Sequence, residues 1–273
     1  MSIAHQNGAA PPELLPGASA RSQPATSDAI RISEVSKVFG RGGSALLALD
    51  RLSLDVAPGE FVCLIGASGC GKSTLLNLVA GLDAPTSGEI STEGQRVALM
   101  FQEPALFPWL TAARNVELAL RASGVSKAER RRRAADLLDL VHLGGFADKR
   151  PHELSGGMRQ RAALARALAQ DAEILLMDEP FGALDAMTRD LLHDELDRIC
   201  SERALTVLFV THNVREAVRL GDRVVVLSSR PGRVIDQFDV PIRAPRRIDS
   251  AEVAGLAATI TDRLRKEMVR HGS

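Results

Sequence analysis

Two stretches of this sequence have the residue types and spacing that bind phosphate. The first, "GASGCGKST" at 66–74, fits G-x-x-x-x-G-K-[ST], with the apolar run "FVCLIG" leading into it and helical spacing in "KSTLLNLVAGL". In that setting the amides of a glycine-rich loop surround phosphate oxygens at a helix N-terminus. Lys72 supplies a charge for the outer phosphates, and the Ser73 hydroxyl is a ligand for Mg²⁺. The predicted nucleotide contacts in this loop are Gly66, Ala67, Ser68, Gly69, Cys70, Gly71, Lys72, Ser73 and Thr74.

Two adjacent carboxylates follow a later apolar run. In "ILLMDEP", Asp178 stands at the end of a predicted buried strand, and Glu179 follows where the strand ends. Because Mg²⁺ prefers carboxylate and water oxygens, Asp178 is predicted to hold this ion together with Ser73. Glu179 can accept a proton from an attacking water. Together with Lys72, these residues predict phosphoryl transfer to water.

The second phosphate-binding pattern lies far downstream, in "HELSGGMRQRAALARAL" at 152–168. Ser155 is predicted to cap the helix that starts there, and the amides of Gly156 and Gly157 can meet a phosphate. The alternative is that Ser-Gly-Gly is only a loop at the start of a helix.

Alternating strands and helices must position these loops. "AIRISEVSKVF" and "LLALDRLSLDV" alternate apolar and polar residues, as half-buried antiparallel strands do. The short apolar runs "FVCLIG", "AEILLMDEP", "LTVLFVTHN" and "GDRVVVLSS" are typical of buried parallel strands, and one helical stretch is predicted at 112–143. We therefore predict an α/β fold of the P-loop NTPase class with a mostly parallel sheet. The predicted fold also has an N-terminal antiparallel β subdomain and a helical subdomain at about 103–168, which contains the 152–168 pattern.

Composition and charge are those of a globular protein. Among 273 residues, Lys plus Arg and Asp plus Glu both number 34, so the net charge favours no nucleic-acid partner. The three cysteines lack metal-ligand spacing and are interpreted as reduced thiols of a cytosolic protein. No apolar run reaches the roughly 20 residues of a membrane span, and the N-terminus does not have the pattern of a secretory signal. We predict a disordered tail at 1–28, an ATPase domain at 29–240 and a short helical tail at 241–273.

The downstream pattern resembles a known family. "LSGGMRQRAALARAL" followed by "ILLMDEPFGALDA" is similar to the signature and Walker B regions of ABC-transporter ATPase subunits, and the resemblance covers about 30–239. It implies ATP and Mg²⁺ as cofactors and a homodimer or head-to-tail pair of cassettes, in which one signature closes over the ATP held by the other chain. Ser155, Gly156 and Gly157 then serve the partner's nucleotide, which explains two phosphate-binding patterns in one chain. Gln160 belongs to the same signature and is placed with the nucleotide-binding residues.

Four further positions take their expected roles from this resemblance. Gln102 matches the glutamine that meets Mg²⁺ or the attacking water and senses the membrane partner. His212 matches the histidine that contacts the γ-phosphate, and Asp185 matches the residue that communicates across the dimer. Phe39 occupies the place of the adenine-stacking aromatic residue, with a role as a core residue as the alternative.

The segment after Gln102 indicates which type of protein assembly the ATPase energises. Phe107, Pro108, Trp109 and Leu110 form an apolar cluster where the family receives a helix of the permease, unless Trp109 is a core residue. "LFPWLTAARNV" and "MDEPFGALDAMTR" most resemble the ATPases of nitrate, sulfonate and taurine importers. The resemblance implies a peripheral protein on the cytoplasmic face of the inner membrane. Its partners would be transmembrane permease subunits and, indirectly, a periplasmic or extracellular substrate-binding protein. The alternatives are an importer of a thiamine pyrimidine precursor and a soluble ABC ATPase acting on nucleic acid or ribosomes.

Two segments leave alternatives open. "GEISTEGQRVALMFQ" at 88–102 is shorter than is usual in the family, which predicts either a tight turn at Glu93 and Gly94 that closes a hairpin or a displaced Gln102. The arginines at 130–133 are interpreted as a solvated helix face paired with Glu129 and Asp136, rather than as a nucleic-acid site. No nucleic-acid partner is therefore expected.

Overall fold

The computed structural model describes residues 28–40, 42 and 45–271, so the predicted tail, apart from Asp28, lies outside the described residues. The strands are β1 (Ile30–Phe39), β2 (Leu46–Val56), β3 (Phe61–Ile65), β4 (Ser87–Ser91), β5 (Val97–Met100), β6 (Ile174–Asp178), β7 (Thr206–Val210), β8 (Arg223–Leu227) and β9 (Val234–Asp239). The helices are α1 (Lys72–Val79), α2 (Ala112–Ala122), α3 (Lys127–Leu140), α4 (Gly156–Leu168), α5 (Ala186–Arg203), α6 (Val214–Leu220) and α7 (Ala251–His271). Short 3₁₀ turns lie at Gly144–Phe146 and Pro151–Glu153.

Two sheets organise these elements. Six strands in the order β5-β6-β7-β3-β8-β9 form a central sheet that is parallel except for β9, which runs antiparallel to β8. Strands β2, β1 and β4 form a separate antiparallel sheet. The predicted α/β fold, with its mostly parallel sheet and its antiparallel subdomain, is confirmed.

Strands β3, β6, β7 and β8 of the central sheet are buried on both faces, which is why they are continuous apolar runs in the sequence. Along β3, Phe61, Cys63 and Ile65 belong to one core shared with α2 to α7. Val62 and Leu64 belong to a second core shared with α1 and the antiparallel sheet. The molecule therefore has three layers, with the central sheet in the middle.

The helical stretch predicted at 112–143 is two helices. Gly124 follows the end of α2 with a φ of 80°, a left-handed conformation that lets the chain leave the helix. Ser126 then starts α3 by accepting a hydrogen bond from the Glu129 amide. The predicted stretch is therefore helical but interrupted, because the four residues 123–126 form a turn too short to change the apolar periodicity of the sequence. With α4, these two helices form the helical subdomain.

The shortened segment before Gln102 links the two sheets. Glu93 and Gly94 make the expected tight turn, with φ of 50° and 73°, and the Thr92 carbonyl accepts from the Gln95 amide at 2.9 Å. However, β4 on one side pairs with β1, and β5 on the other side pairs with β6. The hairpin prediction is wrong, because each strand takes its partner from a distant part of the chain, which local turn chemistry does not determine.

The C-terminal helix joins the main core. Val253, Ala257 and Ile260 of α7 are buried in the same core as the central sheet, and Arg263 pairs with Asp236 of β9 at 2.9 Å. The segment after 240 is thus packed against the same core as the central sheet. Within the described ranges, no helix combines the length and the apolar character that crossing a bilayer requires.

Candidate active site

The candidate site lies at the carboxyl edge of the central sheet, where the loops after β6, β7, β3 and β8 meet because these strands are neighbours. A cavity of about 290 Å³ opens there. It is lined by the glycine-rich loop, by β1 and β2, and by the segments after β5, β6 and β8: Phe39, Leu46, Ala48, Ser68, Gly69, Gly71, Lys72, Ser73, Thr74, Gln102, Glu179 and Arg230. The predicted phosphate-binding loop and the predicted catalytic acid thus share one cavity.

The glycine-rich loop has a shape that side chains would prevent. Gly71 has a φ of 100°, and a Cβ there would lie 2.7 Å from Cδ2 of Leu49. A Cβ at Gly66 would lie 2.9 Å from the Cys70 sulfur. Backbone conformation and close packing therefore both require glycine, and they let a ligand approach the backbone of the loop.

Lys72, the first residue of α1, is buried beneath this loop. Its ammonium group donates to the carbonyls of Gly66 and Ala67 at 2.9 and 3.0 Å. These bonds hold a positive charge at the cavity wall, where it can meet the outer phosphates of a nucleotide.

Two oxygen groups suited to a hard cation lie beside Lys72. Asp178, at the end of β6, is only 8% exposed and accepts a hydrogen bond from the Ser73 hydroxyl. Burial raises the pKa of the Asp178 carboxyl above its usual range, although the Ser73 hydrogen bond opposes this shift. A divalent cation would offset the cost of burying this carboxylate, so the residues fit the predicted metal site.

Glu179 and His212 face each other across two neighbouring strand ends. β6 and β7 pair in parallel, with Asp178 opposite Val210, so the residues that follow each strand lie side by side. The Glu179 amide donates to the Val210 carbonyl, and its carboxylate lies 2.9 Å from Nδ1 of His212. The His212 side chain is 68% exposed. The pair therefore combines a fixed carboxylate with an imidazole that is open to a ligand.

A buried polar network lies directly behind this pair. The Glu216 carboxylate accepts from the Thr211 hydroxyl and lies 2.8 Å from Nε2 of His193, which is completely buried. Burial raises the pKa of Glu216, and the Thr211 hydrogen bond opposes that shift. A cavity of about 40 Å³, lined by Glu179 and His212 among others, adjoins the network. Since Thr211 precedes His212 and Glu216 lies on the helix that follows it, the network fixes the backbone on both sides of His212.

The second phosphate-binding pattern lies outside the cavity lining. Ser155 is exposed and caps α4 by accepting a hydrogen bond from the Met158 amide at 3.2 Å. Gly157 packs so closely that a Cβ there would lie 2.9 Å from a methyl carbon of Leu184. Neither Ser155, Gly156 nor Gly157 lines the cavity that Lys72 occupies, so this helix start is left available to a second molecule.

Neither Gln160 nor Asp185 lines the cavity. Gln160 is 3% exposed, and its side-chain amide donates to the Gln102 carbonyl at 3.3 Å. Gln160 therefore contacts the backbone of a residue that lines the cavity, without reaching the cavity itself. Asp185 is exposed and caps α5 by accepting from the Thr188 amide at 2.9 Å, a bond that lowers the pKa of its carboxyl.

The loop after β5 carries Gln102 at the cavity and an apolar surface beyond it. The rings of Phe107 and Trp109 lie 5.5 Å apart, and Trp109 is 67% exposed, so it is not a core residue. Asn115, which is completely buried, holds this loop in place by bonding to both the amide and the carbonyl of Phe107.

Phe39 lies at the rim of the cavity. Its ring is 41% exposed, lines the cavity beside Leu46 and Ala48, and lies 5.1 Å from the Lys37 ammonium. This position is open to a ligand and does not belong to either core.

Sequence reasoning missed several residues at or behind the cavity, among them three polar ones. Arg230 lines it, and His193 and Glu216 form the buried network. The available signal for Arg230 was its place in "SSRPGRV", directly after a buried strand at the same sheet edge. No comparable signal marks His193, whose partner lies 23 residues away on another helix.

The cysteines do not contribute nucleophiles. Cys63, Cys70 and Cys200 are free and buried. Burial raises the pKa of the Cys63 thiol and raises that of Cys200 to about 12. These two thiols therefore stay protonated and pack as small apolar groups.

Comparison with known proteins gives consistent matches. A family model described as ABC transporter matches residues 49–182. The chain is 48% identical over 224 residues to the nitrate import ATP-binding protein NrtD of Synechocystis, with 79% of this chain and 83% of that protein covered. It is 50% identical over 223 residues to the aliphatic sulfonates import ATP-binding protein SsuB 1 of Mesorhizobium japonicum, covering 80% and 83%. A solved dimeric structure of a post-hydrolysis state of the ATP-binding cassette MJ0796, bound to ADP and Pi, matches with a TM-score of 0.73 at 35% identity. It covers 78% of this chain and 100% of that one.

Proposed function

The chain belongs to the ABC transporter family of ATP-binding proteins, and we propose that it hydrolyses ATP to energise an importer of small anions such as nitrate, sulfonates or taurine. The resemblance found in the sequence is thereby confirmed at the level of the family. The observation that carries ATP hydrolysis is the single cavity in which the glycine-rich loop with Lys72 meets Glu179, itself paired with His212.

In this proposal ATP lies along the length of the cavity. The loop amides and Lys72 hold the phosphates, and the Phe39 ring stacks on adenine without a hydroxyl of its own. The oxygens of Ser73, Asp178 and Gln102 would hold Mg²⁺, which neutralises phosphate charge when bound.

The hydrolytic step follows from the Glu179–His212 pair. As the water oxygen bonds to the γ-phosphorus, the bond from this phosphorus to the bridging oxygen breaks and ADP leaves, while the Glu179 carboxylate accepts a proton from the water. The contact of Glu179 with Nδ1 of His212 fixes the imidazole orientation. Nε2 of His212 then faces the γ-phosphate and donates to it when both ring nitrogens carry hydrogen, while Lys72 stabilises the developing charge. Catalysis thus rests on positioning and on charge stabilisation.

Two copies would complete the site. The exposed N-terminus of α4, capped by Ser155, offers the Gly156 and Gly157 amides to the ATP of a head-to-tail partner. Asp185, exposed at the start of α5, would face that partner as well. The relative bound to ADP and Pi is dimeric, which supports this arrangement.

The exposed Phe107 and Trp109 surface is the proposed contact with a transmembrane permease. Through that contact the protein would lie on the cytoplasmic face of the inner membrane and act indirectly with a substrate-binding protein. The relatives NrtD and SsuB 1 are import ATP-binding proteins, which supports an importer.

A nucleic-acid partner is not proposed. Among the arginines at 130–133, Arg132 pairs with Glu129 and Asp136, and Arg133 pairs with Asp171. Two of these four charges are therefore matched by acidic side chains on the same surface.

Glu179→Gln tests the proposed function. We expect ATP affinity within about twofold of the wild type and a kcat lowered about 10²- to 10⁴-fold, because a general base contributes that much. Light scattering with Mg-ATP should show a doubled mass that a bulky residue at Ser155 abolishes. Glu252→Gln, on the exposed side of α7, is the matched control and should leave turnover unchanged.

Three outcomes would count against the proposal. A chain that binds no ATP would overturn the ATPase function. Wild-type turnover in the Glu179→Gln variant would remove Glu179 from the role of base. A doubled mass that the Ser155 change leaves intact would overturn the head-to-tail dimer.

A further inference from the structure

A closed turn between β8 and β9 presents Arg230 at the cavity. The Ser228 hydroxyl donates to the Pro231 carbonyl at 2.7 Å and accepts from the Arg233 amide at 2.9 Å. The Ser228 amide also donates to the Arg233 carbonyl at 2.9 Å. These three bonds close the turn on both sides of Arg230 and leave its side chain at the tip.

This turn is fixed to the nucleotide-binding loop and to β2. The Gly232 amide donates to the Ala48 carbonyl at 2.8 Å, and the Gly232 carbonyl accepts from the Asp50 amide at 3.1 Å. The backbones approach so closely that a Cβ at Gly232 would lie 2.3 Å from the Cys70 carbonyl oxygen. The position of the turn relative to the glycine-rich loop is therefore set by the backbone itself.

The Arg230 guanidinium lies against the loop and keeps donors for a ligand. Its Nε donates to the Gly69 carbonyl at 3.1 Å, and its Nη2 is close enough that a Cβ at Gly69 would lie 2.9 Å away. Within the described part of the chain, no carboxylate lies within ion-pair distance of Arg230, whereas Arg233 on the same turn pairs with Asp50. The cavity wall thus contains a guanidinium with unmatched charge.

A guanidinium presents forked donors that match the oxygens of a phosphate, and charge-assisted bonds of this kind are stronger than neutral ones. We propose that Arg230 is a further nucleotide-binding residue, which takes oxygens of the ATP phosphate chain through its Nη groups. This inference rests on the proposed function, because it deepens the description of the same ATP site. It also assigns a role to the turn after β8, which the sequence motifs leave without one.

Equilibrium titration of the full chain with Mg-ATP, Mg-ADP and adenosine tests the inference. For Arg230→Ala we expect the Kd for ATP and for ADP to rise about tenfold or more, since one charge-assisted bond is worth at least that factor. The Kd for adenosine should stay within about twofold, and Arg230→Lys should recover part of the ATP affinity. Arg233→Ala removes the same charge from the same turn but away from the cavity, so it should bind all three ligands as the wild type does.

Other results would contradict either this inference or the proposed function. Unchanged affinity of Arg230→Ala for ATP and ADP would overturn the inference, and so would an equal loss for adenosine. Unchanged affinity combined with loss of the ATP-dependent dimer would overturn it too, because Arg230 would then contact a partner chain. A wild-type chain that binds none of the nucleotides would instead refute the proposed function.

Discussion

Replacing His193 by alanine removes one of the two partners of the buried Glu216 carboxylate. The bond between His193 Nε2 and Glu216 spans 2.8 Å, and the imidazole also packs edge-on against the Phe181 ring at 5.0 Å. A hydrogen bond to a charged group contributes about 1.5–3 kcal/mol. Because 1 kcal/mol shifts Tm by roughly 2–4 °C in a domain of this size, we expect Tm to fall by about 3–12 °C.

Thermal unfolding without nucleotide measures this loss. His152→Ala, at an exposed position, is the matched control and should leave Tm unchanged. His193→Gln keeps an amide donor near Glu216 and should recover part of the loss. If His193→Ala unfolds at the temperature of the control, the network does not hold α5, α6 and β7 together, and the estimate above is wrong.

Two further predictions concern the cavity and the apolar surface. Burial raises the folded-state pKa of Asp178, so this carboxyl favours folding most below its ordinary pKa, and that contribution is lost as pH rises through the raised value. Asp178→Asn should therefore unfold at higher temperature than the wild type at pH 7.5, with a difference that vanishes towards pH 4, while ATP turnover is lost. A Tm gain that does not depend on pH would contradict this. Trp109→Ser should leave the ATPase rate of the isolated chain within about twofold, since the ring is exposed and lies outside the cavity lining, yet it should abolish stimulation by permease subunits. Stimulation that survives the change would exclude Trp109 from the contact.

The parts of the site that short-range patterns determine could be predicted. The loop at 66–74 sits between a buried strand and a helix, and its spacing alone places Lys72 and Ser73. Asp178 and Glu179 follow from an apolar run that ends in two acids. Local helix caps such as Ser155 could also be predicted, because the capping bond reaches only three residues along the chain.

The parts of the structure that depend on contacts between residues far apart in the sequence could not be predicted. The turn at Glu93 and Gly94 could be predicted, but the strands on either side belong to different sheets. Arg230 reaches the loop across 161 residues of sequence, and nothing in the local pattern of its turn specifies that contact. Similarly, Gln160 matches a signature of nucleotide-binding residues, although its side chain is enclosed and bonded to the Gln102 carbonyl.

The bond between Gln160 and Gln102 has a consequence for how two nucleotides are used. Gln102 belongs to the cavity of its own chain, whereas α4, which carries Gln160, presents Ser155 towards the ATP of the proposed partner. In the proposed head-to-tail pair, a displacement of the loop after β5 would be passed through this bond to the helix that contacts the other ATP. Because each chain of the pair would make the same connection, we expect the two ATP molecules to bind cooperatively rather than independently.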